Sequence, residues 1–171
     1  MNHRIRLAAA PMLLALLLAL GVSTAARAQG STPATDTPIT VQALASGMPS
    51  DSPGKAILLL RITIQPGAGF PDHIHPGALV IAVESGDFTF TLVQGEADLT
   101  RGAATGSPAA TEQLTAGQEV VAKAGDAIFE QAGVLHSARN AGDTSVVVLV
   151  AGLVDPTQDF LQPMEMGTPA P

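Results

Sequence analysis

Three histidines carry most of the chemistry that the body of this 171-residue chain offers: His73, His75 and His136. The fourth, His3, stands in the basic start of the chain. His73 and His75 are separated by Ile74 alone. In extended backbone the side-chain period is two, so both imidazoles point to one face and make two corners of a metal site. Imidazole suits zinc, copper, iron and nickel. By itself the pair reads equally well as two surface histidines in a loop. Asp72 adjoins His73 and therefore points to the opposite face. The chain has no cysteine, which removes thiolate metal sites, a thiol nucleophile and disulfide staples. It also lacks Trp and Tyr, so a carbohydrate platform of large stacked aromatics is not expected.

The elements that must position these histidines read as short strands. Ile39 to Val41 is β-prone, and Met48 to Lys55, with two prolines and two serines, reads as a turn. Ala56 to Gln65 is a β-rich run stopped by Pro66-Gly67-Ala68-Gly69. Leu79 to Val83 is apolar, and Asp87 to Val93 alternates polar and apolar. Glu96 to Thr100, Glu119 to Lys123 and Ala127 to Phe129 are further short β-prone runs. Ser145 to Val154 is long, apolar and ends at Asp155-Pro156, since proline offers no N–H to a ladder. Gly102 to Gly117, rich in Ala, Thr, Gly and Pro, reads as a surface excursion. No stretch after Val22 shows a long 3.6-residue apolar period. Short strands at regular spacing with Gly/Pro punctuation predict an all-β sandwich or barrel. Phe70, Phe88, Phe90 and Phe129 are candidates to line its core or pocket.

His136 gives the pair its context. Gly67, five residues, His73-Ile74-His75, three residues, Leu79, six residues and Gly86 follow the spacing of the first motif of the cupin superfamily. Gly125, Gly133, His136 and Asn140 fall at the spacings of its second. The chain resembles that superfamily from about Gly54 to Asp155. The resemblance implies a single cupin-type β-barrel (a double-stranded β-helix or jelly roll) over residues 39–157. It also implies a divalent metal held by His73, His75 and His136. The metal is iron, manganese, nickel, copper or zinc, and the ligands do not choose among them. Two positions depart from the pattern. Leu79 occupies the slot of the family's glutamate ligand, and Gln131 the slot of its proline. Glu84, five residues beyond Leu79, lies at an odd offset and faces away in a straight strand. Three neutral imidazoles remain, leaving about three octahedral positions for water, substrate or dioxygen. Two functions follow. One is a dioxygenase-like enzyme acting on a small chelating substrate, by analogy with three-histidine iron cupins that act on thiols or diketones. The other is a non-catalytic barrel that binds a small ligand or the metal itself. A homodimer is a further implication of the resemblance.

The ends of the chain are read separately. Met1 to Arg6 is basic, Leu7 to Val22 apolar, and Ala26-Arg27-Ala28 a small-residue cleavage site. That order predicts a secretory signal peptide over residues 1–28, with an N-terminal membrane anchor as the alternative. A flexible lead-in over residues 29–38 and an irregular tail over residues 158–171 complete the expected layout. Without residues 1–28 the chain keeps five Lys and Arg against 15 Asp and Glu, so its net charge moves from −7 to −10. Such a surface argues against nucleic acid and, after cleavage, against an anionic membrane as partner. The expected location is the periplasm or the extracellular medium.

Overall fold

The period of two in the apolar residues is what the strands are built on. In β4 (Gly77–Ser85) Leu79, Ile81 and Val83 are buried, whereas Val80 between them is 43% exposed. In β11 (Val146–Val154) Val146, Val148, Val150 and Val154 turn inward on the same alternation. β2 (Ala56–Ile64) contributes Ile62 and Ile64, and β5 (Asp87–Gln94) contributes Phe88, Phe90 and Leu92. Each such side chain, removed from water, contributes about 1.5–3 kcal/mol, and none belongs to an element long enough to bury a core alone.

The computed structural model describes residues 37–105 and 110–164. The expected signal peptide, most of the lead-in and the end of the tail lie outside the described residues. The remaining strands are β1 (Ile39–Gly47), β3 (Gly69–Ile74), β6 (Glu96–Arg101), β7 (Ala110–Thr115), β8 (Glu119–Lys123), β9 (Ala127–Glu130), β10 (Leu135–Arg139) and β12 (Gln162–Pro163). They form two antiparallel sheets. One has the order β1-β2-β11-β4-β9-β6-β7, the other β12-β3-β10-β5-β8. Within these, β2-β11-β4-β9 and β3-β10-β5-β8 are the paired four-stranded sheets of a jelly roll. Strands β1, β6, β7 and β12 are additions at their edges. The fold is thus the all-β jelly roll that the motifs imply. Backbone hydrogen bonds do not close it into one continuous barrel, because the two sheets remain separate ladders that share a core.

Three local expectations are corrected. The segment Gly102 to Gly117 contains β7, which pairs with β6 from Glu96↔Thr115 to Arg101↔Ala110. Its only fully buried anchor is Leu114, so little in its composition announced a strand. Phe129 faces out of the barrel and is 36% exposed, because the inward parity of β9 belongs to Ile128 and Glu130. The tail, expected to be irregular, contributes β12, which pairs with β3 at Ile74 and His73.

The motif positions Gly133 and Asn140, and Asp126 beside Gly125, are explained by the turns they hold. Gly133 has φ +78°, a conformation that side chains with a Cβ disfavour, and its N–H donates to the His75 carbonyl at 3.1 Å. Asp126 accepts from the backbone N–H of Lys123 and Gly102 and from Arg101, each at 2.9 Å. Asn140 donates to the carbonyls of Ile64 (2.9 Å) and Thr144 (2.8 Å) and accepts from Gly142 N–H at 3.0 Å. These two polar side chains are buried and fully used in holding turns.

Candidate metal centre

Antiparallel pairing brings the histidines together. His136 on β10 is the direct register partner of His73 on β3. A bulge follows immediately, between His136 and Ala138, and such bulges re-aim side chains. His75 leaves the end of β3 on the same face as His73, as the spacing predicts. One ring nitrogen from each of the three lies within 4.8 Å of the others. The rings are buried, at 2%, 6% and 1% exposure for His73, His75 and His136.

Each ring is oriented by a backbone carbonyl. His73 Nδ1–H donates to Pro71 O at 2.7 Å and His75 Nδ1–H to Phe160 O at 2.6 Å; His136 Nδ1 has Val134 O at 3.3 Å. A neutral imidazole that donates from Nδ1 presents a lone pair at Nε2, which is how metal-ligating histidines are held. Aromatic rings flank them: Phe70 lies beside His73 (centroids 5.8 Å apart), Phe160 beside His75 (4.6 Å) and Phe90 stacks on His136 (4.8 Å, 23°).

The electrostatics favour neutral rings. Burial pushes the His73 pKa down, takes His75 down to about 4, and takes His136 down to about 3. Repulsion from His73 and His75 adds to the effect at His136. At neutral pH all three are unprotonated, the state a metal requires.

A fourth group, Glu130, was absent from the sequence expectations. It ends β9, is 1% exposed, and neither carboxyl oxygen has a hydrogen-bond partner. Oε2 lies 3.1 Å from His136 Nδ1, close enough for a bond but away from the direction of the ring N–H, and Oε1 lies 3.9 Å from His75 Nε2. Burial pushes its pKa up to about 8. The signal that would have found it was parity: Glu130 shares the inward face of β9 with the fully buried Ile128. Glu84, by contrast, faces outward as its odd offset predicts, and accepts from Arg61 Nε at 2.8 Å. Asp72 is half-buried, and Gln131 is exposed, its carbonyl accepting from Val134 N–H across the turn at 3.4 Å.

The histidines open onto a cavity of about 140 Å³. Its walls are otherwise apolar, with Ile62, Ile64, Leu79, Ile81, Val148 and Val150 among them, and Phe160 and Leu161 from the tail. Among the described residues no lysine or arginine lines it. The donor set fits a divalent cation: three oriented neutral imidazoles converge, and an orphaned buried carboxyl adjoins them.

Fold and site together define a jelly-roll protein with a tri-histidine cluster at an apolar internal cavity. No protein-family model matches the chain, and no curated protein matches it significantly. Among solved structures it is similar to an oxalate oxidase in complex with the substrate analogue glycolate (20% identity, TM-score 0.46, 76% of this chain and 57% of that one). A cupin 2 conserved barrel domain protein from Leptotrichia buccalis gives 14% identity, TM-score 0.45, and 67% of this chain with 40% of that one. A DMSP lyase from Ruegeria pomeroyi gives 18% identity, TM-score 0.43, and 77% of this chain with 55% of that one. The chain therefore spans 40–57% of the length of these proteins.

Proposed function

We propose that this protein is an exported metalloprotein that holds a divalent ion on His73, His75 and His136 and acts, as an oxygenase-like enzyme, on a small chelating substrate. The observation that carries the reading is the cluster itself: three buried neutral imidazoles, each oriented from behind by a backbone carbonyl, aimed at one point beside a cavity. A bound ion would supply Lewis acidity or redox capacity to a coordinated substrate. The protein's own part is to fix the ring nitrogens, exclude bulk water with apolar walls, and limit what enters.

Size and polarity narrow the substrate. A cavity near 150 Å³ lined by aliphatic side chains accommodates a benzene-sized body. The cavity here, about 140 Å³ and without a cationic wall residue, suits a ligand with a compact apolar body and one chelating head, such as a small diketone or thiol. A dicarboxylate would find no side-chain counter-ion there, since Arg61, Arg101 and Arg139 pair with Glu84, Asp126 and Glu119 away from the cavity. The same poverty of polar groups favours a second reading, a barrel that binds such a ligand without turnover: the carboxyls beside the cluster, Glu130 and Asp72, do not line the cavity.

Metal content by inductively coupled plasma mass spectrometry tests the proposal, on protein recovered from the export compartment beside a His73→Ala/His136→Ala variant. About one equivalent of metal is expected in the first and none in the second, on a polypeptide whose intact mass begins at Gln29. Absence of metal from the wild-type protein after reconstitution with iron, manganese, nickel, copper and zinc overturns the reading. Oxygen uptake by the loaded protein on small diketones or thiols establishes turnover; silence across that panel assigns the site to binding alone.

A further inference from the structure

The glutamate missing from the first motif has a neighbour that takes its place. Leu79 on β4 and Glu130 on β9 are direct cross-strand partners. Partners directly opposite in an antiparallel pair project to the same face with Cβ atoms about 4.5–5.5 Å apart, so a carboxylate at either position reaches the same region of the interior. Leu79 is 1% exposed and lines the cavity; Glu130 is 1% exposed and stands beside the histidines. The chain thus has an apolar residue where the resemblance calls for a ligand, and an acid without a partner one strand away.

We propose that Glu130 is the fourth protein ligand of the metal centre, delivered from β9 instead of β4. The inference rests on the three-histidine site proposed above. Toward His75 the spacing of Glu130 is that of a ligand pair, while the donor atoms that all lie within 4.8 Å of one another are those of the three histidines, so the carboxylate turns further into the group when it takes the ion. Two donor atoms about 2.1 Å from one ion are about 3.0 Å apart when adjacent at right angles and about 4.2 Å apart when opposite. Glu130 Oε1 and His75 Nε2, 3.9 Å apart, fall inside that range. Burial supplies a second argument. A carboxyl at 1% exposure with neither oxygen hydrogen-bonded has nothing in the protein to satisfy it, and buried carboxylates are paired or coordinate metals. Asp126, the other buried acid, shows the contrast: backbone N–H groups and Arg101 satisfy it. The His136 N–H does not satisfy Glu130, being directed at Val134 O. The consequence is a three-histidine, one-carboxylate centre with one unit less positive charge than three imidazoles leave, and one fewer open position.

The test uses the full chain loaded with cobalt(II), as wild type, Glu130→Leu, the swap Leu79→Glu/Glu130→Leu, and His73→Ala/His136→Ala. Binding is read by titration and the ligand set by the visible d–d spectrum and X-ray absorption. Glu130→Leu is expected to lower affinity by at least about 100-fold and to remove one oxygen scatterer. The swap is expected to restore most of the affinity and the oxygen. Thermal melts of the metal-free proteins show that each variant is folded. A Glu130→Leu protein with an unchanged ligand field overturns the inference, whatever its affinity, and leaves the three-histidine site standing. Failure of the wild-type protein to bind cobalt, leaving it no different from the histidine variant, overturns the site reading itself.

Discussion

At the scale of residues, the site sets buried acid against buried base, and this predicts how the metal-free protein responds to pH. The ordinary values are 4.5 for a glutamate and 6.5 for a histidine. His75 and His136, taken down to about 4 and about 3, stay neutral in the fold while the unfolded chain is still protonated up to pH 6.5. The unfolded state then binds more protons, and stability rises with pH over that range. His73 shifts the same way. Glu130 acts in the opposite sense: between pH 4.5 and about 8 the fold keeps a proton that the unfolded chain has lost, so stability falls. The three histidines, each still half-protonated in the unfolded chain at pH 6.5, outweigh it until just below pH 7, and above that Glu130 dominates. Acids with lowered values, such as Asp126 and Asp155, contribute only at lower pH. The metal-free protein is therefore expected to be most stable near pH 7 and to lose roughly 0.5 kcal/mol by pH 8. Glu130→Gln should abolish that loss. Urea midpoints across the pH range measure it, and a wild-type curve that is flat or rising from pH 7 to pH 8 would contradict the assignment.

At the scale of elements, the tail has a role that its composition did not disclose. Phe160 supplies the carbonyl that orients His75 and a ring against it, and Gln162 and Pro163 then pair with β3 at Ile74 and His73. A backbone carbonyl behind a ligand can be removed only with its residue, so truncation and substitution separate its two contributions. Ending the chain after Pro156 is expected to weaken metal binding by about 10–100-fold, the usual effect of losing a partner of a ligating histidine. Phe160→Ala keeps the carbonyl and should weaken it by less than about 10-fold. Equal loss in both variants would put the effect in the ring. The sequence was legible where a strand buries one face with strong alternation, as in β4 and β5, and where a turn demands glycine, as at Gly86, Gly125 and Gly133, all with positive φ. It was illegible where the determinant lies in another strand. β7 has one buried apolar residue and forms because β6 offers it an edge. The relation of Glu130 to Leu79 exists only in the β4–β9 register, 51 positions apart along the chain. A motif read linearly sees an empty ligand slot there, whereas the sheet places an acid beside it.

At the scale of the whole molecule, the larger sheet carries an apolar outer face. Outward positions of an antiparallel sheet that faces water are normally polar. Here Ile57, Val80, Phe129 and Leu153 are 51%, 43%, 36% and 38% exposed. The register makes them one patch: Leu153 is opposite Ile57, Ala151 opposite Val80, and Val80 opposite Phe129, across β2, β11, β4 and β9. Four adjacent strands presenting such residues form one apolar patch, and a two-fold axis through it would bury it on both copies. We therefore propose that the homodimer implied by the resemblance forms through this face. None of Ile57, Val80, Phe129 and Leu153 lines the cavity, so pairing and cavity occupancy do not compete for the same side chains. Val80→Lys/Leu153→Lys places two ammonium groups per copy in the contact, with their counterparts across the axis. Sedimentation velocity at micromolar concentration should give a wild-type mass twice that of the variant, with metal content equal in the two. A wild-type monomer, or a variant that stays dimeric, would rule this face out as the interface.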